Sequence, residues 1–160
     1  MKQKAEEKHI VTYAIILGFI YTVFGAVEFT LGIYNLFTPI DNASFLGVAP
    51  ADVFGGFAAL VIGASYLSAM SLLKGVRESL GFILVGMLLS AVYGVIYLLI
   101  VCADGFRALL ASLEGEAWTW EWLMRGSAGT GFLRPEIWLF FISLPLAYLT
   151  LRTLRQSDKT

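Results

Sequence analysis

One cysteine and one histidine are all that this 160-residue chain offers to metal and redox chemistry. A single chain with that pair cannot assemble a bis-histidine haem, a Cys/His zinc site, an iron–sulfur cluster or an internal disulfide. No cofactor is therefore expected. Charge is scarce as well: 14% of the residues are Asp, Glu, Lys or Arg, against about 25% in a typical soluble domain. The formal net charge of −1 leaves no basic stripe for a phosphate backbone, so no nucleic-acid partner is expected. Apolar residues fill the space, at 58% of the chain with a mean hydropathy of +0.78. A soluble globule and a disordered tail are both excluded, and a small polytopic membrane protein remains.

A spanning helix needs roughly 20 mostly apolar residues. Four segments qualify between the charges, at about 10–37, 53–73, 80–103 and 137–154. The first is interrupted only by Glu28, and the second and third carry no charge. The fourth reaches spanning length if Glu136 and Arg152 snorkel toward the headgroups and Leu154 joins it. Lysines ahead of an apolar run also suit a cleaved signal peptide, whose apolar core is roughly 7–15 residues long. The uncharged stretch from Ile10 to Val27 outruns that length and continues beyond Glu28, so a retained helix is predicted. Orientation follows from Lys and Arg in the short flanks. Lys2, Lys4, Lys8, Lys74, Arg77, Arg152, Arg155 and Lys159 fall on one side, and Arg107, Arg125 and Arg134 on the other, all in one longer loop. Both termini are expected in the cytoplasm of a cell-membrane protein, with loops 38–52 and 104–135 outside. The fold expected is an all-α, left-handed four-helix membrane bundle forming a single domain.

An internal repeat is suggested within that bundle. Leu17 to Ile20 and Leu80 to Ile83 both read Leu-Gly-Phe-Ile, and Ile33-Tyr34 matches Ile96-Tyr97 at the same offset. Helices two and four both open on a proline and a carboxylate, Pro50-Ala51-Asp52 and Pro135-Glu136, which costs no hydrogen bond and suits the helix dipole. Two repeated helical hairpins explain this, and so do chance matches among apolar letters.

Glu28 is the one charge inside a predicted span, and an intramembrane carboxylate normally faces a protein interior or a wet cavity. Steps of three and four from it gather Ala14, Gly18, Tyr21, Gly25, Gly32 and Asn35 on one face. Leu17, Phe24, Val27, Leu31 and Ile33 are assigned to the opposite side, against lipid or apolar packing. Small residues admit a neighbouring helix, so Glu28 is expected to point into the bundle. The third helix has its own stripe of Gly86, Ser90, Tyr93, Tyr97 and Asp104, with Gly94 beside it. The second has Gly55, Ala59 and Gly63 in a row, followed by Ser65, Tyr66 and Ser68. Tyr93 or Tyr97 is the expected hydroxyl donor to Glu28. No Lys, Arg or His is placed at matching depth, so Glu28 is expected to lack an ion pair and to hold its proton much of the time. Glu28 then either binds a cation or proton in a path lined by Tyr21, Asn35, Ser90, Tyr93 and Tyr97, or fixes helix register through a neutral hydrogen bond.

The 104–135 loop is too long for a mere connector. Phe106, Leu109, Leu110 and Leu113 recur at helical spacing, which predicts a short helix lying on the membrane surface. Trp118, Trp120 and Trp122 follow, with Trp138 opening the fourth helix, and tryptophan concentrates at the headgroup level. They serve as an interfacial anchor or as a lid, with Asp52, Asp104, Arg134 and Glu136 around an outer mouth. Glu114, Glu116 and Glu121 are read as a solvated face. Arg134 is expected to pair with an outer acid such as Asp52 or Asp104. The Gly126 to Gly131 run superficially resembles a phosphate cradle, but it lacks the lysine and the strand–helix setting that cradle requires, and reads as a linker. Cys102 is a small apolar filler, His9 an interfacial residue and Pro145 a helix irregularity. No nucleophile and base can be brought together, so no enzyme activity is expected.

Two functions fit these residues. One is small cation- or proton-linked transport through Glu28. The other is a non-catalytic membrane subunit that docks partner helices through its glycine faces and Trp-rich loop. Four helices enclose little volume, so a homo-oligomer or a partner subunit in the bilayer is expected in either case.

Overall fold

A computed structural model describes residues 2–38, 52–76, 78–127 and 129–157. Pro50, Ala51, Arg77, Lys159 and most of the 38–52 loop lie outside them. Among the described residues the chain is helical throughout, with no strand: α1 (Lys2–Phe37), α2 (Val53–Leu67), α3 (Ser79–Leu113), the single-turn α4 (Glu121–Met124) and α5 (Pro135–Ser157). A 3-10 segment, Ser68–Lys74, prolongs α2, and Gly75 in the left-handed region stops it. Four of these stretches, Lys8–Phe37, Val53–Lys74, Ser79–Leu113 and Pro135–Arg155, are long and apolar enough to cross a membrane.

Successive long helices run in opposite directions, which gives the bundle two ends. The loop end holds the finish of α1, the start of α2 and the start of α5. The terminal end holds both chain termini and the turn between α2 and α3. Large apolar side chains such as Phe19, Phe57, Leu88 and Tyr148 point outward all around the bundle. A membrane protein buries its hydrophobic surface in lipid, so this outward display is the expected one.

The closest helix approach is between α1 and α2. Gly18, Gly25 and Gly32 of α1 face Gly63, Gly56 and Val53 of α2 in antiparallel order. A Cβ on Gly25 would stand 2.7 Å from the Leu60 backbone nitrogen and 2.8 Å from the Gly56 carbonyl oxygen. Only glycine lets two backbones meet so closely, and that contact supplies the van der Waals packing that replaces a hydrophobic drive in lipid. The α2 row is offset from the expected one. Gly56 and Gly63 face α1, while Gly55 lies over the Asp52 side chain. Of the two surroundings expected for Leu17, lipid or apolar packing, it takes the second, buried at 1% exposure in the core cluster with Ile10, Ala14, Tyr21, Ile62 and Tyr66.

The third helix also departs from expectation. Residues 104–113 do not form a separate surface helix; they continue α3 without a break to Leu113. Gly105 alone does not end a helix that is otherwise composed of good helix formers, and it lies under the Trp122 ring. Gly115, at a φ of 98°, follows the end of α3. The fourth span begins at Pro135, not Ile137, as suits proline in a first helical turn.

Candidate functional site

The residues that face the bundle interior include series at seven-residue intervals, two helical turns or about 10.5 Å apart, apolar at Ala14 and Ile83 and polar elsewhere. On α1 the series is Ala14, Tyr21, Glu28 and Asn35; on α3 it is Ile83, Ser90 and Tyr97; on α5 it is Glu136, Ser143 and Thr150. All but the half-buried Asn35 are buried. Because α5 runs against α1 and α3, the three series meet in levels: Glu28, Tyr97 and Glu136 at the loop end, then Tyr21, Ser90 and Ser143.

Arg134 sits at the centre of the loop-end level, in the residue before α5. Its side chain is 4% exposed. Nε donates to both carboxylate oxygens of Glu136 at 3.1 Å. Nη2 donates to Glu28 Oε1 at 3.2 Å and also to Asp52 Oδ2. The Tyr97 ring lies beneath it, 3.6 Å from ring centroid to guanidinium carbon, a cation–π stack. Asp52 is held by two further bonds. Its Oδ1 accepts from the Gly55 backbone N–H at 2.7 Å, capping α2, and its Oδ2 accepts from the Tyr97 hydroxyl. Burial alone would lift the Asp52 pKa, but the Tyr97 hydroxyl, the Gly55 N–H and Arg134 more than reverse it and hold its carboxyl below the usual range. Burial likewise opposes the charge on Arg134, yet Glu136, Tyr97, Asp52 and Glu28 together raise its pKa above the ordinary arginine value.

This arrangement corrects the expectation that Glu28 has no cation within reach. α1 carries nine residues beyond Glu28, so Glu28 lies level with the first turn of α5 rather than deep in the bundle. Arg134, 106 residues further along the chain, reaches it from there. Glu136, expected to snorkel outward, is 6% exposed and turned inward by the same guanidinium. Tyr97 donates to Asp52 and not to Glu28, while Tyr93 is half-buried against the apolar core. Of the two acids proposed for Arg134, Asp52 takes it. Asp104 instead receives the Ser127 N–H at 2.7 Å and the Ser127 hydroxyl at 2.6 Å, which fastens the Gly126–Gly129 turn to α3. That glycine run is thus a pinned turn.

The tryptophans form a cluster beside the site. Trp120 stacks on Trp122 with centroids 6.2 Å apart, and Trp118 meets both edge-on. Trp118 and Trp120 are exposed, whereas Trp122 is half-buried and packs with Tyr97, Val101 and Ile137. Cys102 is exposed and outside both polar levels.

Carboxylate oxygens of Glu28, Asp52 and Glu136 all lie within 4.8 Å of one another, a spacing that suits a shared cation. Glu28 Oε1, Asp52 Oδ2 and both Glu136 oxygens already serve Arg134, so a metal ion would have to displace the guanidinium.

Comparison with known proteins matches the chain to a family. The model of the MJ0565 integral membrane domain matches residues 4–153, which takes in the first three spans and nearly all of the fourth. The uncharacterized protein MJ0565 of Methanocaldococcus jannaschii is 28% identical over 111 residues, which is 68% of this chain and 73% of that protein. No solved structure matches.

Proposed function

The chain belongs to the MJ0565 integral membrane domain family, and from that premise we propose that it is a small proton- or cation-linked membrane transport protein. The observation that carries the reading is a mismatch of charge. Three carboxyl groups, the buried Glu28 and Glu136 and the half-buried Asp52, converge on one guanidinium, leaving two negative charges in excess if all are ionised. A buried site does not tolerate such an excess, so the cluster takes up protons or a small cation as its surroundings allow. Glu28 is the group through which uptake couples to movement, since it stands on the α1 line that continues to Tyr21. The lysines and arginines near the termini favour a cytoplasmic location for both ends in the cell membrane, which sets the cluster near the outer face.

Flux in proteoliposomes tests the reading. An imposed pH gradient should drive measurable proton or cation movement through the purified protein, and Glu28→Gln should abolish its pH dependence while the variant stays folded. Wild-type flux in Glu28→Gln, with only a lowered melting temperature, would overturn it.

A second reading, a subunit that docks a partner, is favoured by one feature. The last turns of α3 run well beyond the level of the cluster and expose Phe106, Leu109, Leu110 and Leu113. A stoichiometric partner retained through gentle purification would favour that reading, and a lone monomer would count against it.

A further inference from the structure

Seven residues from the acid cluster, the bundle interior changes from charged groups to hydroxyls. Tyr21 and Ser90 share a hydrogen bond of 2.5 Å, and Ser90 lies 3.4 Å from the Ser143 hydroxyl. The Tyr66 ring packs on Tyr21 with centroids 5.7 Å apart. The Tyr66 side chain is fully buried, and its hydroxyl stands beside Ser143 and Ser90 without a hydrogen bond of proper geometry to either. One level further, Thr150 is also fully buried and its hydroxyl also has no partner among the described residues. Below it, a groove of about 270 Å³ opens between α1 and α5, lined by His9, Ile10, Leu149, Arg152 and Thr153.

A polar hydroxyl in an apolar interior without a partner costs roughly 1–3 kcal/mol, and proteins commonly meet that cost with an ordered water. Two such hydroxyls, between a charged cluster and a mainly apolar groove that carries His9, Arg152 and Thr153 in its lining, point to water along that line. We propose that Tyr66, Ser90 and Ser143 bind water in the middle of the bundle, and that this hydrated line relays protons between the Glu28–Asp52–Glu136–Arg134 cluster and the groove at His9 and Arg152. The relay rests on the transport reading above and names the proton as its coupling ion. Each step is a plain exchange. A hydroxyl or water oxygen gains a proton from one neighbour and releases its own to the next, so one O–H bond forms as another breaks and no electrons are transferred. The charged groups facing the line are Glu28 on α1, Asp52 before α2, and Arg134 and Glu136 at the start of α5. Tyr13, Tyr21, Tyr66 and Tyr97 are its phenols. Tyr13 is tied elsewhere, donating to the Ile142 carbonyl at 2.6 Å.

Tyr66→Phe is the test, because the lost hydroxyl makes no protein hydrogen bond and its removal leaves the packing in place. Two measurements on the full-length protein in lipid decide it. Water-edited solid-state NMR should show rapid magnetisation transfer from water to the Tyr66 ring in the wild type. Proton flux in proteoliposomes should fall on the order of a hundredfold in Tyr66→Phe, the scale of losing one proton-transfer group. Absence of water transfer, or wild-type flux in Tyr66→Phe, overturns the relay. Water transfer without proton flux in the wild type overturns the transport reading and the relay role with it. Flux that is lost in Glu28→Gln but kept in Tyr66→Phe overturns the relay alone.

Discussion

The two polar levels of the bundle handle burial in opposite ways. At the loop end, Arg134 meets three carboxylates and an aromatic face, and Asp52 is further held by a backbone N–H and a phenol. Two turns deeper, Tyr21, Ser90 and Ser143 share neutral hydrogen bonds while Tyr66 has none. Depth explains the contrast. Charge is tolerable where helix ends approach the headgroups, where a neighbouring counter-charge and the N-terminus of α2 both help. Nearer the bilayer centre only neutral hydroxyls are cheap enough to keep.

Removing the cation is the strongest way to break this contrast. Arg134→Met deletes the shared donor and leaves three carboxyl groups facing one another. Loss of one partner from a buried ion pair costs about 3–5 kcal/mol, so unfolding in detergent should move to a much lower temperature or denaturant concentration. A near-wild-type melting point would mean that the cluster is bound together by something other than Arg134.

Acid separates the two levels more gently. Asp52 has a depressed pKa in the folded protein, so its stabilising contribution is fully present above the ordinary aspartate value of about 3.9. That contribution is lost as the pH falls through the lower folded value. Arg134 is shifted upward, so its contribution persists throughout the acid and neutral range. The Asp52 contribution to thermal stability, followed from pH 7 downward, should therefore be lost only below about pH 4, the onset set by the ordinary carboxylate value. In Arg134→Met the slope should invert, because protonation then relieves unpaired acids. Ser90→Ala should leave the acid profile unchanged, since the hydroxyl level carries no charge.

Much of this interior is legible in the chain before any coordinates. Hydropathy alone locates the spans, and the steps of three and four from Glu28 pick out the buried face of α1, Tyr21 and the glycines included. The ion pair is harder to read. Arg134 lies outside the span it precedes, beside Pro135, and depth cannot be judged from the distance to the nearest apolar segment. It follows instead from comparing helix lengths: α1 has 36 residues, about 54 Å at 1.5 Å per residue, so its later turns rise past the start of α5. The spacing of Glu136, Ser143 and Thr150 is a signal of the same kind, since a polar residue every seventh position marks one helix face. Two features have no such signal. Which row of α2 glycines meets α1 depends on a rotation of one residue that small residues at 55, 56, 59 and 63 leave open. That α3 runs straight through 104–113 is open in the same way, since good helix formers after Gly105 suit either a continued span or a new surface helix.

The smallest expected effect tests whether the hydroxyl level is held by its own bonds. Ser90→Ala removes the partner of Tyr21 and leaves a fully buried phenol unsatisfied, a cost of roughly 1–3 kcal/mol. Tyr21→Phe leaves the Ser90 hydroxyl with Ser143 at 3.4 Å, so its cost should be lower. The double variant removes both groups and should cost less than the two single changes added together, because no orphan remains. The sign of that coupling, read from unfolding midpoints of the three variants, distinguishes a specific Tyr21–Ser90 bond from a level solvated throughout by water. Strict additivity would place water at Tyr21 as well as at Tyr66, and the contrast with the charged level would then be one of hydration more than of charge.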